Sequence, residues 1–118
     1  MENVLYSSVK RVRHFEFCVS KSSGSLIIFN DRTNIVYQIS KESKESLLEQ
    51  LDEGLFHEEA VDIEFEDESD GRLLEVVRQG NWWFLNEWKM TVADALELYE
   101  FLERDIIAKP FAAYLRAV

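Results

Sequence analysis

The spacing of apolar residues changes three times along this chain of 118 residues. In 15–19 and 35–39 it alternates with a period of about two, the mark of strands with one buried face, and between them Leu26–Phe29 is a short, wholly apolar strand. From Leu47 to Leu55 it lengthens to about 3.6, the mark of an amphipathic helix. It returns to two at Val61 and to helical spacing after Thr91. A chain that switches period in this way is neither all-helical nor all-sheet. It is expected to form one α+β domain over 1–118 in the order βββαβββα, a mainly antiparallel sheet packed on two helices.

The individual elements follow from the same pattern. Phe15, Phe17 and Val19 alternate with His14, Glu16 and Cys18, which predicts a strand over 13–19. After the turn Lys21–Ser25 come Leu26–Phe29, and after Asn30–Asn34 come Ile35, Tyr37 and Ile39. Short polar loops between these three strands favour an antiparallel meander. Ser40 is a good N-cap for a helix over 41–53, with Leu47, Leu48, Leu51 and Leu55 on its apolar stripe and Gly54 placed to end it. Val61, Ile63 and Phe65 then alternate with Asp62, Glu64 and Glu66, ahead of a turn at Asp67–Gly71. Leu73–Arg78 reads as a strand, Gln79–Asn81 as a hairpin loop and Trp82–Met90 as one longer strand. Thr91 and Asp94 suit a capping box for a helix striped by Val92, Ala95, Leu96, Tyr99, Leu102 and Ile106 and widened by Leu98, Phe101 and Ile107. Pro110 is expected to interrupt it, with Phe111–Arg116 forming a further short helix. The two halves could be a pseudo-repeat by order of elements, but their residues do not match.

Charge is distributed unevenly over this frame. The formal net charge is −10, yet Glu42 to Asp70 alone holds thirteen acids and one base, Lys44. Residues 1–41 carry six bases and three acids, and residues 71–118 six bases and seven acids. The acidity is therefore a local field, which attracts cationic partners and repels nucleic acid and anionic lipid. With 47% hydrophobic residues the chain is too apolar to be an acidic disordered tail. The triplet Lys10, Arg11 and Arg13 is too small to reverse that balance into a nucleic-acid site.

The residue types that carry chemistry do not assemble into a recognised pattern. Cys18 is the sole thiol, so no internal disulfide forms, and a cytoplasmic location is expected. Met1–Ser8 lacks the basic and apolar regions of a signal peptide, and no apolar run approaches the roughly 20 residues of a membrane helix. Glu66, Glu68, Asp70 and Gly71 imitate the opening of a calcium loop, but the twelfth position is Val77 where a bidentate acid is required. His14 and Cys18 lie about 13 Å apart on an extended strand, too far for a thiolate–imidazole pair. His57 does not complete a zinc set with them. The serines sit in turn and cap contexts, and the four glycines are too scattered for a phosphate loop. Neither a catalytic residue, a metal nor a cofactor is assigned.

Two features remain that suit recognition. One is the run of acids Glu58, Glu59, Asp62, Glu64, Glu66, Asp67, Glu68 and Asp70. The other is the aromatic stretch 82–88, where a continuous strand places Trp82, Phe84 and Trp88 on one face. Tryptophan anchors beside an acidic collar make a hot spot for a basic protein. The expected function is therefore a non-catalytic acidic inhibitor that neutralises a basic partner, such as a toxin, nuclease or nucleic-acid-binding protein, in the manner of an immunity protein, antitoxin or nucleic-acid mimic. The alternatives are a homodimeric, chaperone-like adaptor and, third, a small enzyme using Cys18 or His57.

Overall fold

The computed structural model describes residues 9–117, with side-chain surroundings through Arg104. Met1–Ser8 and the burial expected of Ile106 and Ile107 lie outside the described residues. Strands β1 (Lys10–Val12), β2 (Phe15–Val19), β3 (Leu26–Asn30) and β4 (Ile35–Ile39) pair antiparallel in chain order as sheet 1. After helix α1 (Lys41–Phe56), strands β5 (Val61–Glu66), β6 (Leu73–Gln79), β7 (Trp82–Leu85) and β8 (Trp88–Thr91) repeat the arrangement as sheet 2. Helix α2 (Val92–Ala117) follows. The fold is α+β, with two antiparallel four-stranded sheets and two helices sharing one core.

The core collects the residues that the alternation marked. Phe15, Phe17, Val19, Leu26, Ile28 and Ile39 face inward from sheet 1, and Val61, Phe65, Leu74, Val76, Trp83 and Leu85 from sheet 2. Leu47 and Leu51 of α1 and Ala95, Leu98 and Leu102 of α2 close it. Ser40 caps α1 by accepting the Ser43 amide at 3.1 Å. At α2 the capping box forms reciprocally: the Thr91 amide donates to Asp94 at 2.9 Å and the Asp94 amide to the Thr91 hydroxyl at 3.1 Å. The helices meet where Tyr99 packs edge-on against Phe56, its hydroxyl donating to Glu103 at 2.7 Å. That bond, with burial and the nearby Asp52, pushes the phenol up to about 12.

Four elements differ from the sequence expectation. Lys10–Val12 is a strand of its own, paired through Val12 and Phe15. The expected strand Trp82–Met90 is a hairpin: Leu85 pairs with Trp88 around the two-residue turn Asn86-Glu87. Asn86 takes the left-handed conformation (φ 55°), which asparagine tolerates better than most residues. Gly54 does not end α1, which continues to Phe56. Instead it is buried where a methyl group would stand 2.5 Å from the Trp83 ring and 2.9 Å from Val61. The glycine is there for close approach of helix to sheet. Lastly, α2 runs through Pro110 to Ala117, with no separate helix at Phe111–Arg116. The proline removes one backbone donor without ending the helix.

Each half is thus ββββα. Every turn within the two sheets holds one left-handed residue, at matching places: Arg13 and Gly71 in the first turns, Gly24 and Gly80 in the second, Asn34 and Asn86 in the third. The repeat is one of topology and turn geometry, which residue identity does not show.

Asp67 joins the two sheets. It is buried at the end of β5, and its Oδ2 accepts the Gln38 amide of β4 at 2.7 Å. Its Oδ1 accepts from the Ser69 amide and hydroxyl at 2.8 and 2.5 Å and from the Asp70 amide at 3.1 Å. The Glu68 amide completes the seam by donating to the Gln38 carbonyl at 2.8 Å. Burial alone would push this carboxyl up, but the bonds from Ser69, Gln38 and Asp70 outweigh it and bring it from 3.8 down to about 2.

Two predictions follow from these contacts. Alanine in a helix normally stabilises by about 1 kcal/mol over glycine. At Gly54 the clash with a buried indole reverses the sign, so Gly54→Ala should cost about 1–3 kcal/mol in urea unfolding; an unchanged or raised midpoint contradicts the contact. For Asp67 the folded pKa lies below the unfolded one, so its contribution of about 2 kcal/mol is present above pH ~4 and lost as pH falls toward ~2. The stability gap between wild type and Asp67→Asn should therefore close over that window, and a gap independent of pH contradicts the joint.

Candidate functional site

Pairing register divides the side chains of sheet 2 between two faces. The inner face carries Val61, Phe65, Leu74, Val76, Trp83, Leu85 and Met90 into the core. The outer face carries Asp62, Glu64 and Glu66 on β5, opposite Val77, Glu75 and Leu73 on β6. Phe84 lies beside Val77 and Trp82 beside Gln79, with Lys89 and Thr91 on β8. A shallow depression of about 350 Å³ opens here, lined by Asp62, Glu75, Val77, Gln79, Phe84 and Asn86. Leu73 and Trp82 are the most exposed apolar residues of the face, at 54% and 42%.

Asn86 fixes the geometry of the depression. Its amide donates to the Glu75 carbonyl and its Oδ1 accepts the Glu75 amide, both at 2.8 Å. Its Nδ2 donates to the Tyr37 hydroxyl of sheet 1 at 2.9 Å. The β7–β8 turn is thereby locked to β6 and to the neighbouring sheet, so the acids stand on a braced surface.

The structure sorts the acids of the 58–70 segment into distinct situations. Asp62, Glu64 and Glu66 are exposed on the outer face and make no ion pair among the described residues. Glu58 and Glu59 are exposed in the loop between α1 and β5, where the Glu59 carbonyl accepts from Arg78 at 3.3 Å. Asp67 is buried in the joint, its oxygens already taken by Gln38, Ser69 and Asp70. Glu68 accepts from Ser25 at 3.1 Å and Gln38 at 3.0 Å, and Asp70 pairs with Arg72 at 2.5 Å. The segment's one base, Lys44, is buried in α1.

The two tryptophans separate. Trp82 stays on the outer face with the Lys89 ammonium 3.8 Å from its ring centre. The turn at Asn86 reverses the chain, so Trp88 stands opposite Leu85 on the inner face rather than alongside Trp82 and Phe84. It is half-buried and packs edge-on against His14, with ring centres 5.4 Å apart. Glu75, Val77 and Leu73 join the face although the sequence did not single them out; the register of the β5–β6 hairpin is the signal that finds them.

Other candidate chemistry is absorbed into structure. Arg11 pairs with Glu16 and Asp31, Arg13 with Asp94, and Lys10 approaches Glu97 at 4.0 Å. Burial and the adjacent Glu16 push the Cys18 thiol up, away from thiolate. His57 follows α1 as its C-cap, 3.5 Å from Asp52. Among the described residues no group of three or more His, Cys, Asp or Glu side chains converges as a metal site, and no helix is long and apolar enough to cross a membrane. No protein-family model, curated protein or solved structure matches the chain.

One arrangement on the outer face works against folding. Glu64 and Glu75 are directly opposite across β5 and β6, and facing like charges destabilise a sheet. Glu75→Gln should therefore stabilise the domain by about 0.2–1 kcal/mol in urea unfolding, and added salt should narrow the difference by screening. A variant no more stable than wild type at low salt contradicts the repulsion.

Proposed function

We propose that this protein is a non-catalytic inhibitor that captures a basic protein through the outer face of sheet 2, in the manner of an immunity protein or antitoxin. The observation that carries this reading is the contrast between two topologically alike sheets. On the outer face of sheet 1 the charges are compensated, Arg11 lying between Glu16 and Asp31. On the outer face of sheet 2, Asp62, Glu64, Glu66 and Glu75 make no ion pair among the described residues and surround Val77, Phe84 and Trp82. The fold does not require that charge, and the Glu64–Glu75 pair costs stability. A partner with lysines and arginines around an apolar patch relieves the repulsion and covers the depression.

The acids act at two stages. Before contact, their field draws the cationic partner in and raises the association rate. After contact, burial of Leu73, Val77, Phe84 and Trp82 supplies the desolvated centre that slows dissociation. The acids then occupy the partner's cationic site, so nucleic acid or another anionic substrate is kept out.

Capture at about 0.05 M salt followed by elution at about 0.5 M should identify one basic protein, since exposed charge pairs are screened over that range. Its association rate should fall steeply with salt. Reversal of Asp62, Glu64 and Glu66 to lysine should abolish capture while the circular dichroism spectrum of the domain is retained. Normal binding by the folded, reversed protein sinks the proposal.

A further inference from the structure

Lys89 is the one base among the outward-facing residues of sheet 2, and it rests on the Trp82 ring. The indole face is therefore a cation seat that the chain itself fills. An ammonium is a poor permanent occupant, being compact and strongly hydrated, whereas a guanidinium is planar, less tightly hydrated and stacks flat on an indole. Lys89 also sets a positive charge on the face that meets a basic partner, so its presence there opposes association until it moves aside. Beside the ring, Gln79 is the cross-strand neighbour of Trp82, and Phe84 and Val77 form an apolar floor that suits the alkyl stem of a long basic side chain.

We propose that Trp82 is the specificity element of this face: it receives an arginine of the basic partner, displaces Lys89 from its ring, and selects arginine-rich over lysine-rich segments of equal charge. The inference rests on the acidic-face reading above. It assigns the two parts of the site different work. Asp62, Glu64, Glu66 and Glu75 attract either cation, while Trp82 offers an indole face on which only the planar guanidinium stacks flat.

Hexa-arginine and hexa-lysine peptides, titrated into the full chain at low salt, test this directly. Hexa-arginine should bind about two- to fivefold more tightly, as expected of one exposed guanidinium–indole stack. Trp82→Leu should lower the ratio of the two affinities toward one, whereas Glu64→Gln and Glu75→Gln should weaken both peptides. Lys89→Gln should strengthen both and widen the ratio; this arm decides the matter alone if Trp82→Leu lowers the unfolding midpoint. Equal affinities in the wild type, or a ratio unmoved by Lys89→Gln, overturn the arginine assignment. If the Glu variants still weaken both peptides in that case, the acidic-face reading stands. Binding of neither peptide overturns both.

Discussion

The placement of sheet 2 depends on a single buried carboxylate. Asp67 accepts from the β4 backbone with one oxygen and from its own turn with the other, so sheet 1, the end of β5 and the start of β6 are held at one point. Backbone amides are obligate donors, and leaving several of them unsatisfied in a buried seam costs more than burying one saturated carboxylate. Asn86 adds a second brace, from the β7–β8 turn to Tyr37. With both in place the outer face of sheet 2 is a fixed surface. Fixed charges give electrostatic selectivity without the entropy loss of ordering a mobile acidic segment on binding.

The acidic segment thus divides into parts with different physical roles. Glu42, Glu45 and Glu49 line the solvent side of α1, Asp67 and Glu68 hold the sheets together, and Asp70 is neutralised by Arg72. Only Asp62, Glu64 and Glu66 pass from β5 onto the open face, where Glu75 meets them from β6. The net charge of the chain says little about this division. Hydrogen-bond donors at Asp67 and Glu68 and a base at Asp70 take up the structural acids, and Asp62, Glu64 and Glu66 are set apart by their position on the open face.

Much of the fold is legible in the sequence because β2, β4 and β5 bury one face and leave the other more exposed, and because polar turns bound the wholly apolar run Leu26–Phe29 of β3. Periodicity fails where that condition fails. In Trp82–Leu85 both faces are apolar, so alternation offers no break at Asn86-Glu87, and Trp88 is assigned the wrong face in consequence. Lys10–Val12 is too short and too charged to register as a strand, although pairing with β2 makes it one. Gly54 has the composition of a helix stop, and only the Trp83 ring shows that its lack of a side chain is used for packing. Asp67 is indistinguishable by residue type from the acids around it. Its role follows from the meeting of β4 with the β5–β6 turn, 29 residues apart in the chain.

If local geometry rather than total charge creates the binding face, two variants of equal net charge must behave differently. One carries Asp62→Asn, Glu64→Gln and Glu66→Gln, and the other Glu42→Gln, Glu45→Gln and Glu49→Gln on α1. The decisive measurement is the association rate of each with the captured basic partner as a function of salt. The β5 variant should lose both the rate and its salt dependence while the α1 variant keeps most of them. Equal losses in the two would show that the protein acts through bulk charge and would contradict the assignment of a site to sheet 2.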